Sequence, residues 1–176
     1  MKVYVARHGQ TEWNALNKVC GITDSMLTDR GREQARELAA TLTDKEIDLI
    51  IVSPLTRAQE TAAAVGAVTG AEMITDVRLI EQNYGIYEGV DRKDPNFLAN
   101  KKQFAVRYPG GESMMDVAAR IYGLLEDIKI KYADKTVLLV CHGGVCRVIR
   151  TYFEPMTNEE FSEYSAANCE ARCYEL

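Results

Sequence analysis

Apolar positions along this chain follow two different rhythms. Three short runs, residues 2–6, 48–52 and 136–140, are β-branched and nearly continuous rather than alternating, which is the pattern of strands buried on both faces. Each is followed, at once or after a loop, by a helical pattern. After the first run a long polar loop leads to Thr28, a hydroxyl N-cap, ahead of Ala35, Leu38, Ala39 and Leu42. After the second stand Ser53 and Pro54, read as an N-cap and a proline at the first helical position, opening a helix that runs to about Thr69 and stops at Gly70. After the third, His142, Gly143 and Gly144 lead into a helix through Val145, Val148 and Ile149. A further helix starts at Ser113, where Asp116 completes a capping box, and carries Val117, Ile121, Leu124, Leu125 and Ile128 as its apolar stripe.

This alternation of strand and helix predicts an α/β fold with a mainly parallel central sheet and helices on both faces. The C-terminal residues Ala171 to Glu175 add an edge strand. Residues 88–112 are richer in charge and turn residues, and they read as an inserted segment over one end of the sheet in a single domain spanning residues 1–176.

Composition narrows the function classes. A chain of 176 residues can bury a core without staples. Its apolar runs fall far short of the roughly 20 residues that span a bilayer, and the first strand gives way to a polar loop rather than a signal-peptide pattern. A cytoplasmic protein with no membrane contact is expected. Five cysteines, an odd number without CxxC spacing, read as reduced structural thiols, not a disulfide framework or a zinc ribbon. The net charge of −5 and the lack of a basic block exclude an extended nucleic-acid footprint, so an anionic ligand needs a local cationic pocket. The sequence is silent on oligomeric state.

In open α/β sheets, ligands bind beyond the carboxyl ends of the strands, where helix N-termini expose unpaired N–H groups. Arg7-His8-Gly9 leaves the first strand, Ser53-Pro54-Leu55-Thr56-Arg57 the second and His142-Gly143-Gly144 the third. Both histidines and two arginines therefore share one rim. Taken singly, His8 or His142 reads equally well as a hydrogen-bonded loop residue, and Arg7 or Arg57 as a surface ion-pair partner. Together they suit phosphate, because arginine binds it bidentately and a basic residue in a helix first turn runs against the dipole unless it faces an anion.

These residues carry a family resemblance. Arg7-His8-Gly9-Gln10-Thr11 followed by Asn14 resembles the RHG-x-T-x-x-N signature of the histidine phosphatase superfamily, which includes phosphoglycerate mutases and fructose-2,6-bisphosphatases. The similarity continues in order through Leu27-Thr28-Asp29-Arg30-Gly31, Ser53-Pro54-Leu55-Thr56-Arg57, Leu79-Ile80-Glu81, Glu88-Gly89, Gly110-Gly111-Glu112-Ser113 and His142-Gly143-Gly144. It implies a phosphoglycerate mutase-like three-layer sandwich and a histidine acid phosphatase-type phosphoric monoester hydrolase. It further implies that His8 is the phosphoryl acceptor, that Arg7, Asn14, Arg57, His142 and the Gly143 N–H surround the phosphate, and that Glu81 protonates the leaving oxygen. No metal or other cofactor is expected, since side chains supply the cationic scaffolding, and the partner is a small phosphorylated metabolite.

Three other readings compete. A cofactor-dependent phosphoglycerate mutase would use the same phosphohistidine; a metalloenzyme would use His8, His142 and Glu81 as ligands; a silent phospholigand-binding module would need none of the chemistry. Lys101, Lys102 and Arg107 form either a solvated face or a reach toward a second anionic group, and the sequence leaves that choice open.

Overall fold

The computed structural model describes residues 1–176. In chain order its elements are β1 (Lys2–Arg7), α1 (Glu12–Ala15), α2 (Asp29–Leu42), β2 (Leu49–Val52), α3 (Thr56–Thr69), β3 (Glu72–Thr75), α4 (Pro95–Lys101), α5 (Met114–Lys131), β4 (Val137–Cys141), α6 (Gly143–Phe153), α7 (Asn158–Glu163) and β5 (Ala171–Glu175). Short 3-10 turns at Val77–Leu79 and Gly85–Tyr87 lie between β3 and α4. The strands form one sheet in the order β3-β2-β4-β1-β5. All pairs are parallel except that of β1 with β5, which is antiparallel.

The continuous apolar runs follow from burial on both faces. In β4, Val137, Leu139 and Cys141 pack with Val117, Ile121 and Leu124 of α5 and Val145 and Val148 of α6. The intervening Leu138 and Val140 point the other way, against Leu38 and Leu42 of α2 and Ala58, Ala62 and Val65 of α3. β2 splits likewise, with Leu49 and Ile51 on the α5–α6 side and Ile50 and Val52 on the α2–α3 side. Successive strand residues face opposite layers, and each fully buried side chain of this kind contributes about 1.5–3 kcal/mol. No helix is long and apolar enough to cross a membrane.

Register places the chemistry-bearing ends side by side. Arg7 pairs with Cys141 and Val52 with Val140, so His8, His142 and Ser53 leave three adjacent strands at one rim. Gly9 lets the His8 loop press onto the start of α2, because a Cβ there would fall 2.4 Å from the Gly31 carbonyl oxygen.

Two sequence expectations need correction here. Helix α3 begins at Thr56 with Leu55 in the N-cap position and no side-chain cap, whereas Ser53 and Pro54 were expected to open it. The Ser53 hydroxyl is turned instead to the His142 ring, 2.7 Å from Nε2. The edge strand β3 was not foreseen, since Glu72, Met73 and Thr75 are exposed and only Ile74 packs on the core.

Candidate active site

A cavity of about 120 Å³ opens beyond the carboxyl ends of β1 and β4. Arg7, His8, Asn14, Glu81, Tyr84 and Gly143 are on its wall, together with Arg92, Lys101, Gly144 and Arg147. Glu81 is the one acid among the lining residues, against four cationic side chains.

His8 is held in a defined tautomer. Its Nδ1 lies 2.7 Å from the Gly9 carbonyl oxygen. A carbonyl only accepts, so Nδ1 carries the proton and the Nε2 lone pair is left for the cavity. Burial, reinforced by the charges of Arg7 and Arg57, pushes the imidazole well below its ordinary pKa of 6.5. The ring is therefore neutral, with its Nε2 lone pair free, across the physiological range.

His142 and Arg57 are fully buried against His8 and are not among the residues lining the cavity. The two imidazole centroids are 5.0 Å apart. The His142 Nδ1 has no partner, and burial, with the charges of Arg57 and His8, lowers its pKa well below 6.5. Arg57 gives Nη1 to the Thr23 carbonyl at 2.9 Å and Nη2 to the Gly21 carbonyl at 2.6 Å. Each Nη thus spends one of its two N–H groups on the protein, and Nε is the buried donor without any partner. Arg7 shows the same division: Nη1 donates to the Ala166 carbonyl at 2.6 Å while its buried Nε has no partner. Unpaired buried polar atoms are rare and costly, and three of them near one imidazole, two being arginine Nε donors, mark a place for an anion.

Glu88 organises the loop that receives Arg57. Its carboxylate accepts the N–H groups of Ile22 and Thr23, each at 2.8 Å. Asn14 is fixed by the capping box of α1, in which the Thr11 N–H donates to its Oδ1 at 3.2 Å. That leaves its amide N–H groups as the donors available to the cavity.

Glu81 is buried, and each of its oxygens accepts one backbone N–H: Gln82 at 2.8 Å and Gly144 at 2.9 Å. The segment bearing it is pinned by Arg120, which donates to the Glu81 carbonyl and pairs with Glu112 at 3.1 Å, while Glu112 also accepts the Asn83 N–H at 2.9 Å. Gly143 opens α6, where a backbone N–H has no intrahelical acceptor and the helix dipole favours an anion. A Cβ at Gly144 would lie 2.6 Å from a Glu81 oxygen, so a larger residue there displaces the Glu81 carboxylate.

Sequence reasoning missed Tyr84, Arg92 and Arg147 on the wall. Burial and the Glu81 carboxylate raise the Tyr84 phenol above its ordinary value, so its hydroxyl stays a donor. Arg147 did leave a signal, as the single charged residue inside the buried run from Gly144 to Ile149 of α6. Of the lysines and arginine left open by the sequence, Lys101 lines the cavity, Lys102 does not, and Arg107 is tied to Asp116 at 2.8 Å. No group of three or more His, Cys, Asp or Glu side chains is arranged to hold a metal ion.

The family model for the histidine phosphatase superfamily (branch 1) matches residues 3–176. Phosphoserine phosphatase 1 of Hydrogenobacter thermophilus is 28% identical over 183 residues, covering 100% of this chain and 85% of that protein. A Yersinia pestis protein named probable phosphoglycerate mutase GpmB is 37% identical over 150 residues, 81% of this chain and 70% of its own length. Among solved structures, mycobacterial glucosyl-3-phosphoglycerate phosphatase superposes with a TM-score of 0.86 at 28% identity, covering 98% of this chain and 88% of the other.

Proposed function

The chain belongs to the histidine phosphatase superfamily, and from that premise we propose that it is a metal-independent hydrolase of small phosphate monoesters with His8 as phosphoryl acceptor. The observation that carries this reading is the His8 ring, neutral and locked by Gly9 so that Nε2 meets a cavity with cationic walls. In the first step Nε2 forms a bond to phosphorus as the ester P–O bond breaks, and Glu81 in its acid form passes its proton to the leaving oxygen. In the second, Glu81 takes a proton from water as that water attacks phosphorus and returns the electron pair of the P–N bond to His8.

Arg7, Arg57 and His142 stabilise the transferring group through their unpartnered N–H groups, with Asn14 and the Gly143 N–H as further donors. These donors supply the positive field that a metal provides in other phosphotransferases. The reaction is of the histidine acid phosphatase type. Residues 88–112, which contribute Arg92, Phe97, Leu98 and Lys101 to the cavity wall, cover the substrate. The five cysteines, odd in number and without CxxC spacing, support a reducing, cytoplasmic setting.

The test is a panel of phosphate monoesters given to enzyme exhaustively treated with EDTA. Phosphate release equal to ester consumed, with inhibition by vanadate, is expected. Activity restored only by zinc or magnesium would replace this reading with a metal-dependent one. The 37% identical relative named as a phosphoglycerate mutase keeps transfer back to substrate as a second reading; rapid exchange of 2- and 3-phosphoglycerate with little free phosphate would favour it.

The Ser53 hydroxyl also has a part. In this reading the hydroxyl, 2.7 Å from His142 Nε2, donates to that nitrogen and holds the ring proton on Nδ1, the unpartnered atom. Ser53→Ala is expected to lower kcat/KM about tenfold, the value of one well-placed hydrogen bond. Nitrogen NMR should show the His142 tautomer shifting in the variant, and a full rate with an unchanged tautomer would remove Ser53 from this role.

A further inference from the structure

On the premise of the hydrolase reading, we propose that Asn168, in the turn ahead of β5, is a positioning residue that orients the Asn14 amide so that its N–H groups face the transferring phosphoryl group. The turn holds the end of β1 from several sides. The Arg7 N–H donates to the Glu170 carbonyl at 3.3 Å, the Arg7 carbonyl accepts the Cys169 N–H at 3.0 Å, and Arg7 Nη1 donates to the Ala166 carbonyl at 2.6 Å. One residue further along, the His8 carbonyl accepts from Asn168 Nδ2 at 2.9 Å. None of residues 166–170 lines the cavity, so any effect of theirs on the chemistry passes through the residues they hold.

A break in the ladder is what brings Asn168 there. The antiparallel register of β1 and β5 pairs Ala6 with Ala171, and continued without interruption it would set Glu170 opposite Arg7 and Cys169 opposite His8. Arg7 instead bonds to both Cys169 and Glu170, two residues against one, which is a β-bulge. Its first residue, Cys169, has φ 58°, a left-handed conformation that costs a non-glycine residue about 1–2 kcal/mol. The extra residue moves Asn168 into the place opposite His8. Glu170 closes the turn, its backbone N–H donating to the Ala167 carbonyl at 3.1 Å and its carboxylate accepting the Ala167 N–H at 2.8 Å and Arg172 Nε at 2.9 Å.

Two side-chain amides take their direction from these contacts. A carbonyl only accepts, so the His8 carbonyl fixes Nδ2 of Asn168 toward β1. A backbone N–H only donates, so the Thr11 N–H at 3.2 Å fixes Oδ1 of Asn14 on the protein side. The second N–H of Asn168 then reaches that same oxygen at 3.3 Å. Both Asn168 N–H groups are thus spent, and Asn14 Oδ1 receives two donors. Turning the Asn14 amide over would set N–H against N–H at both contacts and aim its oxygen at the anion. Asn14 lines the cavity and Asn168 does not, so Asn168 acts at one remove, while its bond to the His8 carbonyl anchors it.

The experiment is a double-mutant cycle of Asn168→Ala and Asn14→Ala, read in kcat/KM for the monoester that wild-type enzyme hydrolyses fastest and in calorimetric affinity for vanadate, an oxyanion standing in for the phosphoryl group. With Asn14 present, Asn168→Ala is expected to lower both about tenfold, the worth of one well-placed hydrogen bond. In Asn14→Ala enzyme the same substitution should cost about twofold or less, because the side chain it acts through is gone. Asn168→Asp keeps the shape of the residue but offers only acceptors to two oxygens, so it should lose at least as much as Asn168→Ala. Equal losses with and without Asn14, or full rate and vanadate affinity in either Asn168 variant, would overturn the proposal, since a residue that merely closes the turn costs the same in both backgrounds. Should Asn168→Asp fail to fold, the alanine cycle decides alone. If wild-type enzyme hydrolyses no ester, the hydrolase reading fails instead, and the cycle in vanadate affinity still decides the part played by Asn168.

Discussion

His8→Ala enzyme is expected to form no phosphoenzyme, and its turnover to fall by roughly 10⁶-fold, the scale on which removal of a covalent nucleophile acts. The expectation follows from the local geometry, not from burial alone. With Nδ1 committed to the Gly9 carbonyl at 2.7 Å, Nε2 has no proton and no partner within the protein. Rapid quenching of wild-type turnover should trap a phosphoryl group that is acid-labile and alkali-stable, as a phosphoramidate is. Label on a serine, aspartate or cysteine would end the mechanism. The pH profile supplies a second check: burial and the charges of Arg7 and Arg57 hold His8 neutral well below 6.5. Corrected for the substrate's own second ionisation near about 6, kcat/KM should therefore show no loss as pH falls through 6.5. A loss that tracks an ordinary histidine there would mean that the imidazole is not held in this environment.

How much of this could be read from the chain depends on where each signal resides. The three inner strands were legible because both of their faces are buried, which forces unbroken apolar runs such as Leu49–Val52. β3 was not legible, because an edge strand with Ile74 as its one packed side chain carries no periodicity. Ser53 was misread because a serine before a proline is a good helix opener locally, yet a tertiary contact with His142 competes for its hydroxyl and wins. His8, Arg7, Asn14, Glu81 and Gly143 were placed near the rim by motif and strand order, and the structure puts all five on one cavity wall. Arg57 and His142 come to the same centre, fully buried beside His8 and outside the cavity's lining residues, a depth that motif order does not encode. The outer cations depend on which surface residues fold over the rim: Lys101 sits beside Lys102 in sequence, and only the former reaches the cavity.

Glu81→Gln is expected to slow phosphoenzyme formation from alkyl phosphates by roughly 10²–10⁴-fold, the contribution of a positioned proton donor. An alkoxide is a poor leaving group and needs a proton as its bond to phosphorus breaks, whereas p-nitrophenolate departs readily without one. The substitution also has a structural cost that must be separated from the chemical one. Both Glu81 oxygens accept backbone N–H groups, from Gln82 at 2.8 Å and Gly144 at 2.9 Å. Glutamine has one acceptor oxygen and one donor amide, so it satisfies only one of those N–H groups and confronts the other with a donor. That loss of fit affects every substrate alike. The missing proton affects only those with a basic leaving oxygen. Single-turnover rates with a sugar or glycerol phosphate and with p-nitrophenyl phosphate therefore distinguish the two effects, and the ratio of the two losses reports proton donation alone. A ratio of about 10² or more assigns Glu81 the acid role. Equal losses on both esters would leave it as a residue that positions Gly144 and the start of α6, and the proton would have to come from another group on the wall, of which the Tyr84 hydroxyl, kept protonated by burial, is the one beside Glu81.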